Sequence, residues 1–212
     1  MIEWSLDAFR ACESVRAIVV AIPPGSDGAF AGEADLGVVW GGSTRAQSVA
    51  NGLESVDTEL VAIHDAARPL LTAELIEALV ARLDETPEAA GAIAATPVTD
   101  TIKQAADRRS YGGSSDALYS PEMENAALAV ERTVDRGRLW AAQTPQLFRA
   151  AALREALAVD PARRDAATDE AMLVEEAGGI VLLHPSGPEN FKVTTPHDLR
   201  VAEALLSRRG GA

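Results

Sequence analysis

The chain has 212 residues, 47% of them hydrophobic, and a formal net charge of −13. This length and composition suit one α/β domain, because single domains usually run to roughly 100–200 residues around a core of such apolar content. The acidity argues against binding to nucleic acid polymers or an anionic membrane surface, but not against a small phosphorylated ligand held by local cations or Mg²⁺.

The first hundred residues alternate between short apolar runs and stretches with helical spacing of apolar side chains. The pattern predicts helices over 3–13, 45–56 and 72–83, with Thr72 capping the last, and strands over 15–22, 36–40, 60–64 and 91–98. Residues 104–129 lose the pattern and contain Arg108-Arg109, Gly112-Gly113-Ser114-Ser115 and Pro121, so we expect a partly disordered excursion from the domain there.

Regular spacing returns in the last third of the chain. It predicts helices over 149–158, 169–177 and 196–208, and strands over 180–184 and 190–194. Because the strands are apolar throughout and helices separate them, we expect an α/β, Rossmann-like open, mainly parallel sheet with helices on both faces. In such sheets ligands bind beyond the carboxyl ends of the strands.

Three predicted strand ends carry residues suited to an anionic ligand. The glycines Gly41 and Gly42 let the backbone approach a ligand, although a tight turn capped by Ser43 or Thr44 explains them equally well. Asp65 could hold Mg²⁺ or accept from ribose hydroxyls, or simply pair with Arg68.

The third of these sites is the predicted strand over 190–194, and Lys192 lies at the centre of its apolar run. It could face an anion, or it could protect a sheet edge from pairing. The stretch Thr168-Asp169-Glu170 reads most simply as a helix N-cap followed by acidic residues of the first turn.

The remaining motifs are sparse. Cys12 is the one cysteine, so no intrachain disulfide can form, and no signal-peptide or membrane-spanning pattern is visible, so we expect a cytoplasmic protein that does not enter a membrane. The histidines lack cysteine partners at zinc-site spacing, and neither a nucleophile triad nor a glycine-rich nucleotide motif of the Walker or Rossmann type occurs.

Six stretches together point to one family. They are GGSTRAQSVANGL, VAIHDAARP, ATPVTDTIK, RTVDRGRLWAAQTPQLF, ATDEAMLVEEAGG and ENFKVTTPHDL. In this order they resemble 2-C-methyl-D-erythritol 4-phosphate cytidylyltransferase, a family of the non-mevalonate isoprenoid pathway. HDAARP combined with TVDR-x-x-LW-x-x-QTPQ is a highly specific match. The resemblance implies transfer of CMP from CTP to a polyol phosphate with release of pyrophosphate, Mg²⁺ as cofactor, and a homodimer joined through a β-arm.

The resemblance also implies roles for particular residues. Gly41, Gly42, Arg45 and Ser48 would line the cytidine pocket, Asp65 and Ala66 would face the ribose and metal, Thr144 and Lys192 would lie near the reacting phosphates, and Thr168 would contact the polyol phosphate. Thr101 and Arg136 would lie on an arm of about residues 99–136 that reaches into the partner's site.

Two departures from the family pattern qualify these expectations. The family begins with a strand and a glycine-rich phosphate loop bearing an Arg and a Lys, whereas Met1 here matches the start of the following helix. We therefore expect residues 1–212 alone to have little activity. Residues 105–129 look like an insertion in the arm. A cytidylyltransferase for ribitol 5-phosphate and a non-catalytic dimeric binding protein of the same fold are the alternative functions.

Overall fold

The computed structural model describes residues 1–26, 28, 30, 32–106 and 129–209. Its helices are α1 (Ile2–Ala11), α2 (Arg45–Leu53), α3 (Ala73–Glu85), α4 (Ala150–Leu157), α5 (Pro161–Asp165), α6 (Glu170–Glu176) and α7 (Pro196–Arg209). Its strands are β1 (Ile18–Ile22), β2 (Leu36–Trp40), β3 (Leu60–Ile63), β4 (Ala89–Pro97), β5 (Lys103–Ala105), β6 (Val130–Thr133), β7 (Trp140–Arg149) and β8 (Ile180–Pro185). The chain divides into a larger unit, Met1–Thr96 with Ala142–Ala212, and a smaller unit, Pro97–Ala141.

The described strands of the larger unit form two sheets. One is the parallel pair of β1 and β2, and the other has the order β3-β7-β4-β8. In the second sheet β4 is parallel to β8, but β3 is antiparallel to β7. The expected Rossmann-like α/β class is confirmed, whereas the four-stranded sheet is mixed rather than mainly parallel, because β7 runs against β3.

Helices cover both faces of the four-stranded sheet, as the sequence predicts. Leu60 and Ala62 of β3 pack in a cluster with α3, while the alternate residues Val61 and Ile63 pack in a cluster with α4 and α6. Phe148 of β7 is completely buried in the second cluster. The alternation follows from the two-residue period of a strand. Because helices cover both faces of the sheet, a ligand can reach it at the strand ends.

Strand β7 was not predicted, because its sequence is polar. Gln143, Thr144 and Gln146 are only 2–6% exposed, and each side chain makes at least one hydrogen bond to another protein group, although Gln146 Oε1 has no partner among the described residues. The amide of Gln146 donates to Asp169, for example, and the amide of Asn190 donates to Gln143. Buried polar groups are tolerated when they are hydrogen-bonded, so a polar stretch can still form a central strand.

The prediction of a strand over 190–194 is wrong. The N–H of Val193 donates to the carbonyl of Ala67, and Arg68 donates to the carbonyl of Asn190. The segment is therefore irregular backbone hydrogen-bonded to the turn that follows β3, and its apolar side chains Phe191 and Val193 pack in the cluster with α7.

In the smaller unit, β5 and β6 form an antiparallel pair in which Lys103 lies opposite Thr133. The predicted excursion over 104–129 falls mostly on residues 107–128, which lie outside the described residues. None of the helices in the described ranges is long and apolar enough to span a membrane.

Candidate functional site

The centre of the site is Asp65, which follows His64 just beyond the end of β3 and lies between two cations. Arg45 Nε donates to one carboxylate oxygen at 3.3 Å, and Lys192 Nζ donates to the other at 2.9 Å. Arg45 is the first residue of α2, and Lys192 lies in the irregular segment before α7. The fold thus brings together three predicted site residues that are distant in sequence, at the strand end where ligands are expected.

Glu170, the first residue of α6, is the buried partner of Arg45. Its Oε2 accepts from Arg45 Nη1 at 2.5 Å, and its side chain is only 1% exposed. Its other oxygen has no hydrogen-bond partner among the described residues. The sequence places Glu170 in the acidic first turn of a helix and does not reveal this contact, because the partner lies 125 residues away in the chain.

Burial and pairing with cations have opposite effects on the pKa values of Asp65 and Glu170. Burial raises the pKa of Asp65, but the hydrogen bond from Lys192 and the charge of Arg45 outweigh it, so the pKa lies below its ordinary value. For Glu170 burial is the stronger influence and raises the pKa, with Arg45 opposing it. Asp65 is therefore the ionised carboxylate that a ligand would meet.

The predicted glycine turn follows β2 and leads into α2. Gly41 donates to the carbonyl of Ile22 in the neighbouring strand at 2.8 Å, and Gly42 donates to Ser48 Oγ at 3.0 Å. Ser48 in turn donates to the carbonyl of Thr44. Ser48 is thus already hydrogen-bonded to the turn, and the turn lies next in the chain to Arg45.

A reciprocal cap closes the first turn of α2. Thr44 Oγ1 accepts from the N–H of Gln47, and Gln47 Oε1 accepts from both the N–H and the hydroxyl of Ser43. The Gln47 side chain lies so close to Gly42 that a Cβ there would be 2.2 Å from its Cγ. The prediction of a tight turn with a capping side chain is therefore confirmed, because Thr44 is the N-cap of α2 and Gly42 leaves room for the Gln47 side chain.

Behind Asp65 lies a pair of polar side chains. Thr144 Oγ1 accepts from the N–H of Asp65 at 3.0 Å and lies 3.0 Å from His64 Nδ1. Burial lowers the pKa of His64 to about 4, so the ring is neutral at neutral pH. The sequence assigns no role to His64, and its place next to Asp65 at the strand end is the signal that points to it.

Three other predicted residues have simpler surroundings. Arg68 does not pair with Asp65 through a salt bridge but donates to the carbonyl of Asn190. Ala66 is exposed, and the exposed Thr168 directs its hydroxyl towards Met172 Sδ at 3.7 Å. Asp169 rather than Thr168 is the N-cap of α6, as its hydrogen bond from the N–H of Met172 shows.

Thr101 and Arg136 lie in the smaller unit, and both are exposed. Arg136 donates to the carbonyl of Thr99 in the same unit. The two residues are therefore on the described part of the predicted arm, with side chains that solvent reaches.

Whether the larger unit could hold Mg²⁺ depends on its oxygen ligands. Among the residues that the structure describes, no three His, Cys, Asp or Glu side chains are grouped as metal ligands. Mg²⁺ nevertheless often binds through a single carboxylate, with substrate phosphates and water as the other ligands. Asp65, ionised and 18% exposed, fits that mode of binding and is the residue that would hold the ion.

The sequence profile of the family described as IspD, 2-C-methyl-D-erythritol 4-phosphate cytidylyltransferase, matches residues 1–208. The chain belongs to this family. It is 39% identical over 223 aligned residues to 2-C-methyl-D-erythritol 4-phosphate cytidylyltransferase from Paraburkholderia phytofirmans, covering all of this chain and 86% of that protein.

A second relative is larger. The chain is 43% identical to the bifunctional enzyme IspD/IspF of Anaeromyxobacter dehalogenans over 210 residues, which is 95% of this chain but 49% of the relative. The chain thus spans about half the length of the bifunctional relatives that it matches.

Solved structures agree with the family. The crystal structure of 2-C-methyl-D-erythritol 4-phosphate cytidylyltransferase from Thermus thermophilus is similar with a TM-score of 0.76 at 32% identity, covering 97% of this chain and 88% of that one. The enzyme of the same name from Francisella tularensis gives a TM-score of 0.75 at 27% identity over 95% of this chain and 86% of that one.

Proposed function

We propose that the protein transfers CMP from CTP to 2-C-methyl-D-erythritol 4-phosphate and releases pyrophosphate. The observation that carries the proposal is the placement of Arg45 and Lys192 on the two oxygens of Asp65, at the carboxyl end of β3. Membership of the cytidylyltransferase family supports the same reaction.

The chemistry suits this set of side chains. A phosphate oxygen of the acceptor attacks the α-phosphorus of CTP, and the bond from that phosphorus to the bridging oxygen of the leaving pyrophosphate breaks. The reaction needs no nucleophile from the protein, since positioning and neutralisation of negative charge lower the barrier. We propose that Lys192 contacts the reacting phosphates, with Thr144 near them, and that Thr168 contacts the polyol phosphate.

The proposed pocket for the nucleoside lies at the turn between β2 and α2. We propose that Gly41, Gly42, Arg45 and Ser48 line the cytidine pocket, where the glycine backbone can approach the base closely. Asp65 and Ala66 would then face the ribose and the metal. In this arrangement Arg45 contributes to the pocket while it keeps its ion pair with the buried carboxylate of Glu170.

The charge balance of the site supports a divalent cation. Arg45 and Lys192 are balanced by Asp65 and Glu170, so these four side chains have no net charge to offer a triphosphate. We propose that Mg²⁺, held by Asp65 and phosphate oxygens, supplies the missing positive charge.

The test is pyrophosphate release from CTP with each of two acceptors, 2-C-methyl-D-erythritol 4-phosphate and ribitol 5-phosphate, with and without Mg²⁺. We expect Mg²⁺-dependent release with the first acceptor only. Preference for ribitol 5-phosphate would favour the alternative substrate, and CTP binding without turnover would favour a binding protein.

We also propose that the protein is a cytoplasmic homodimer in which the arm, about residues 99–136, reaches into the partner's site. The exposure of Thr101 and Arg136 and the antiparallel pairing of β5 with β6 support an arm that can make such contacts. An arginine there would supply a bidentate contact to a phosphate, a geometry for which its side chain is well suited.

The dimer proposal predicts complementation between two defective subunits. Arg136→Ala should weaken binding of the polyol phosphate more than binding of CTP, and Asp65→Asn should inactivate its own pocket. Mixed dimers contain one site with both residues intact, so mixing should restore part of the pyrophosphate release. Each variant mixed with itself is the control, and absence of recovery despite demonstrated subunit exchange would contradict a shared site.

A further inference from the structure

A chain of three hydrogen bonds runs behind Asp65 and ends on a main-chain carbonyl. The N–H of Asp65 lies 3.0 Å from Thr144 Oγ1, Thr144 Oγ1 lies 3.0 Å from His64 Nδ1, and His64 Nε2 lies 3.1 Å from the carbonyl oxygen of Arg68. The proposed reaction gives a role to Asp65 and Thr144 but none to His64.

The two ends of this chain set the direction of every hydrogen in it. A main-chain N–H can only donate, and a carbonyl oxygen can only accept. The carbonyl of Arg68 therefore requires the neutral imidazole to carry its hydrogen on Nε2, which leaves a lone pair on Nδ1. That lone pair requires a donor, so Thr144 gives its hydroxyl hydrogen to Nδ1 while its oxygen accepts from Asp65.

The opposite tautomer would have the opposite consequence for Thr144. With the hydrogen on Nδ1, the ring would donate to Thr144 and leave the hydroxyl hydrogen free for a substrate phosphate. The lone pair of His64 Nε2 would then face the lone pairs of the Arg68 carbonyl at 3.1 Å. Two acceptors at this distance repel, and the Arg68 carbonyl would keep only the long hydrogen bond from Ser5 Oγ at 3.5 Å.

We propose that His64 is a positioning residue for the transfer reaction: it binds the hydroxyl hydrogen of Thr144, so that Thr144 orients Asp65 and does not donate to a phosphate. Phe9 packs against the imidazole ring in an edge-to-face arrangement, with ring centroids 5.7 Å apart. Thr144 is only 4% exposed, which agrees with a hydroxyl directed into the protein. The consequence for catalysis rests on the proposed function, whereas the direction of the hydrogen bonds does not.

The direction can be tested without any activity, by nitrogen NMR of the labelled protein at neutral pH. We expect His64 to have a protonated Nε2 and an unprotonated Nδ1, with its signals assigned by their loss in His64→Gln. A protonated Nδ1 would overturn the proposal even if CMP transfer is confirmed, and the expected tautomer would stand even if no transfer is found.

The consequence for the reaction can be tested with two matched variants. His64→Asn places an amide oxygen near the position of Nδ1, where it can still accept from Thr144, whereas His64→Gln places its amide near Nε2 and loses that contact. We expect His64→Gln to lower kcat by about 10–100-fold with little change in KM for CTP, as is typical when the partner of a site residue is lost, and His64→Asn to restore most of kcat.

Two further variants complete the design. His64→Gln in the Thr144→Val background should add little further loss, because Thr144→Val already removes the hydroxyl through which His64 acts. His184→Gln, the same change at a histidine of β8 outside the site, should keep the activity and control for loss of an imidazole. Equal loss of kcat in His64→Asn and His64→Gln would contradict a role through Thr144.

Discussion

Asp65→Asn is expected to lower kcat for pyrophosphate release by about 100-fold or more while the protein stays folded. The substitution keeps the shape of the side chain but removes the charge that holds Lys192 at 2.9 Å and Arg45 at 3.3 Å. Misplacement of catalytic groups by about 1 Å can lower a rate by that factor, and the proposed Mg²⁺ ligand is lost as well. Steady-state kinetics over a range of Mg²⁺ concentrations, with thermal unfolding of the same samples, measure both effects.

The matched control is Asp57→Asn, the same change at an exposed carboxylate outside the site. Asp57→Asn should change neither kcat nor the dependence of pyrophosphate release on Mg²⁺ concentration. Unchanged Mg²⁺-dependent turnover in Asp65→Asn would show that the carboxylate has no part in the reaction.

The second large effect is expected on stability. Arg45→Ala should lower the free energy of unfolding by about 3 kcal/mol, because it leaves Glu170, only 1% exposed, without its ionic partner. The value is at the low end for a broken buried pair, since Arg45 is 36% exposed and water can enter in its place. Urea unfolding at pH 5 and pH 8 is the measurement.

The decrease in the free energy of unfolding caused by Arg45→Ala should be larger at pH 8 than at pH 5. Burial already raises the pKa of Glu170 above that of an unfolded chain, and removing Arg45 takes away the charge that opposes this shift. A group whose folded-state pKa is raised stabilises the fold below its unfolded pKa, and that contribution is lost as pH rises through the folded value. The double variant Arg45→Ala with Glu170→Gln should lose this additional pH dependence; its persistence there would assign it to another group.

The helices and most strands of the larger unit could be predicted from the spacing of apolar residues, because that spacing records which face is buried. Strand β2 has the predicted bounds, and the caps at Thr44, Thr72 and Asp169 follow from side chains that compete for free N–H groups. The position of Asp65 at a strand end was predictable for the same reason.

The spacing of apolar residues and local capping do not predict contacts between distant segments. β7 is buried through polar side chains whose partners come from elsewhere, and the segment around Lys192 is apolar without being a strand. Its hydrogen bonds go to the turn after β3, more than a hundred residues earlier, which no local pattern reveals. The pairing of Glu170 with Arg45 was hidden for the same reason, since an acidic residue in a first turn has an ordinary local explanation.

The two partners of Arg45 differ in a way that bears on how fast ligands exchange. Nη1 holds a buried carboxylate, and Nε holds Asp65, whose side chain is 18% exposed. In the proposed site, a group of the nucleotide that accepts from Nε displaces Asp65 there while Nη1 keeps Glu170, so the exchange takes place at a position that water reaches. No buried charge is left alone during the swap, and the helix that begins at Arg45 keeps its anchor. For the proposed reaction, such an arrangement favours rapid entry and departure of nucleotide over tight retention.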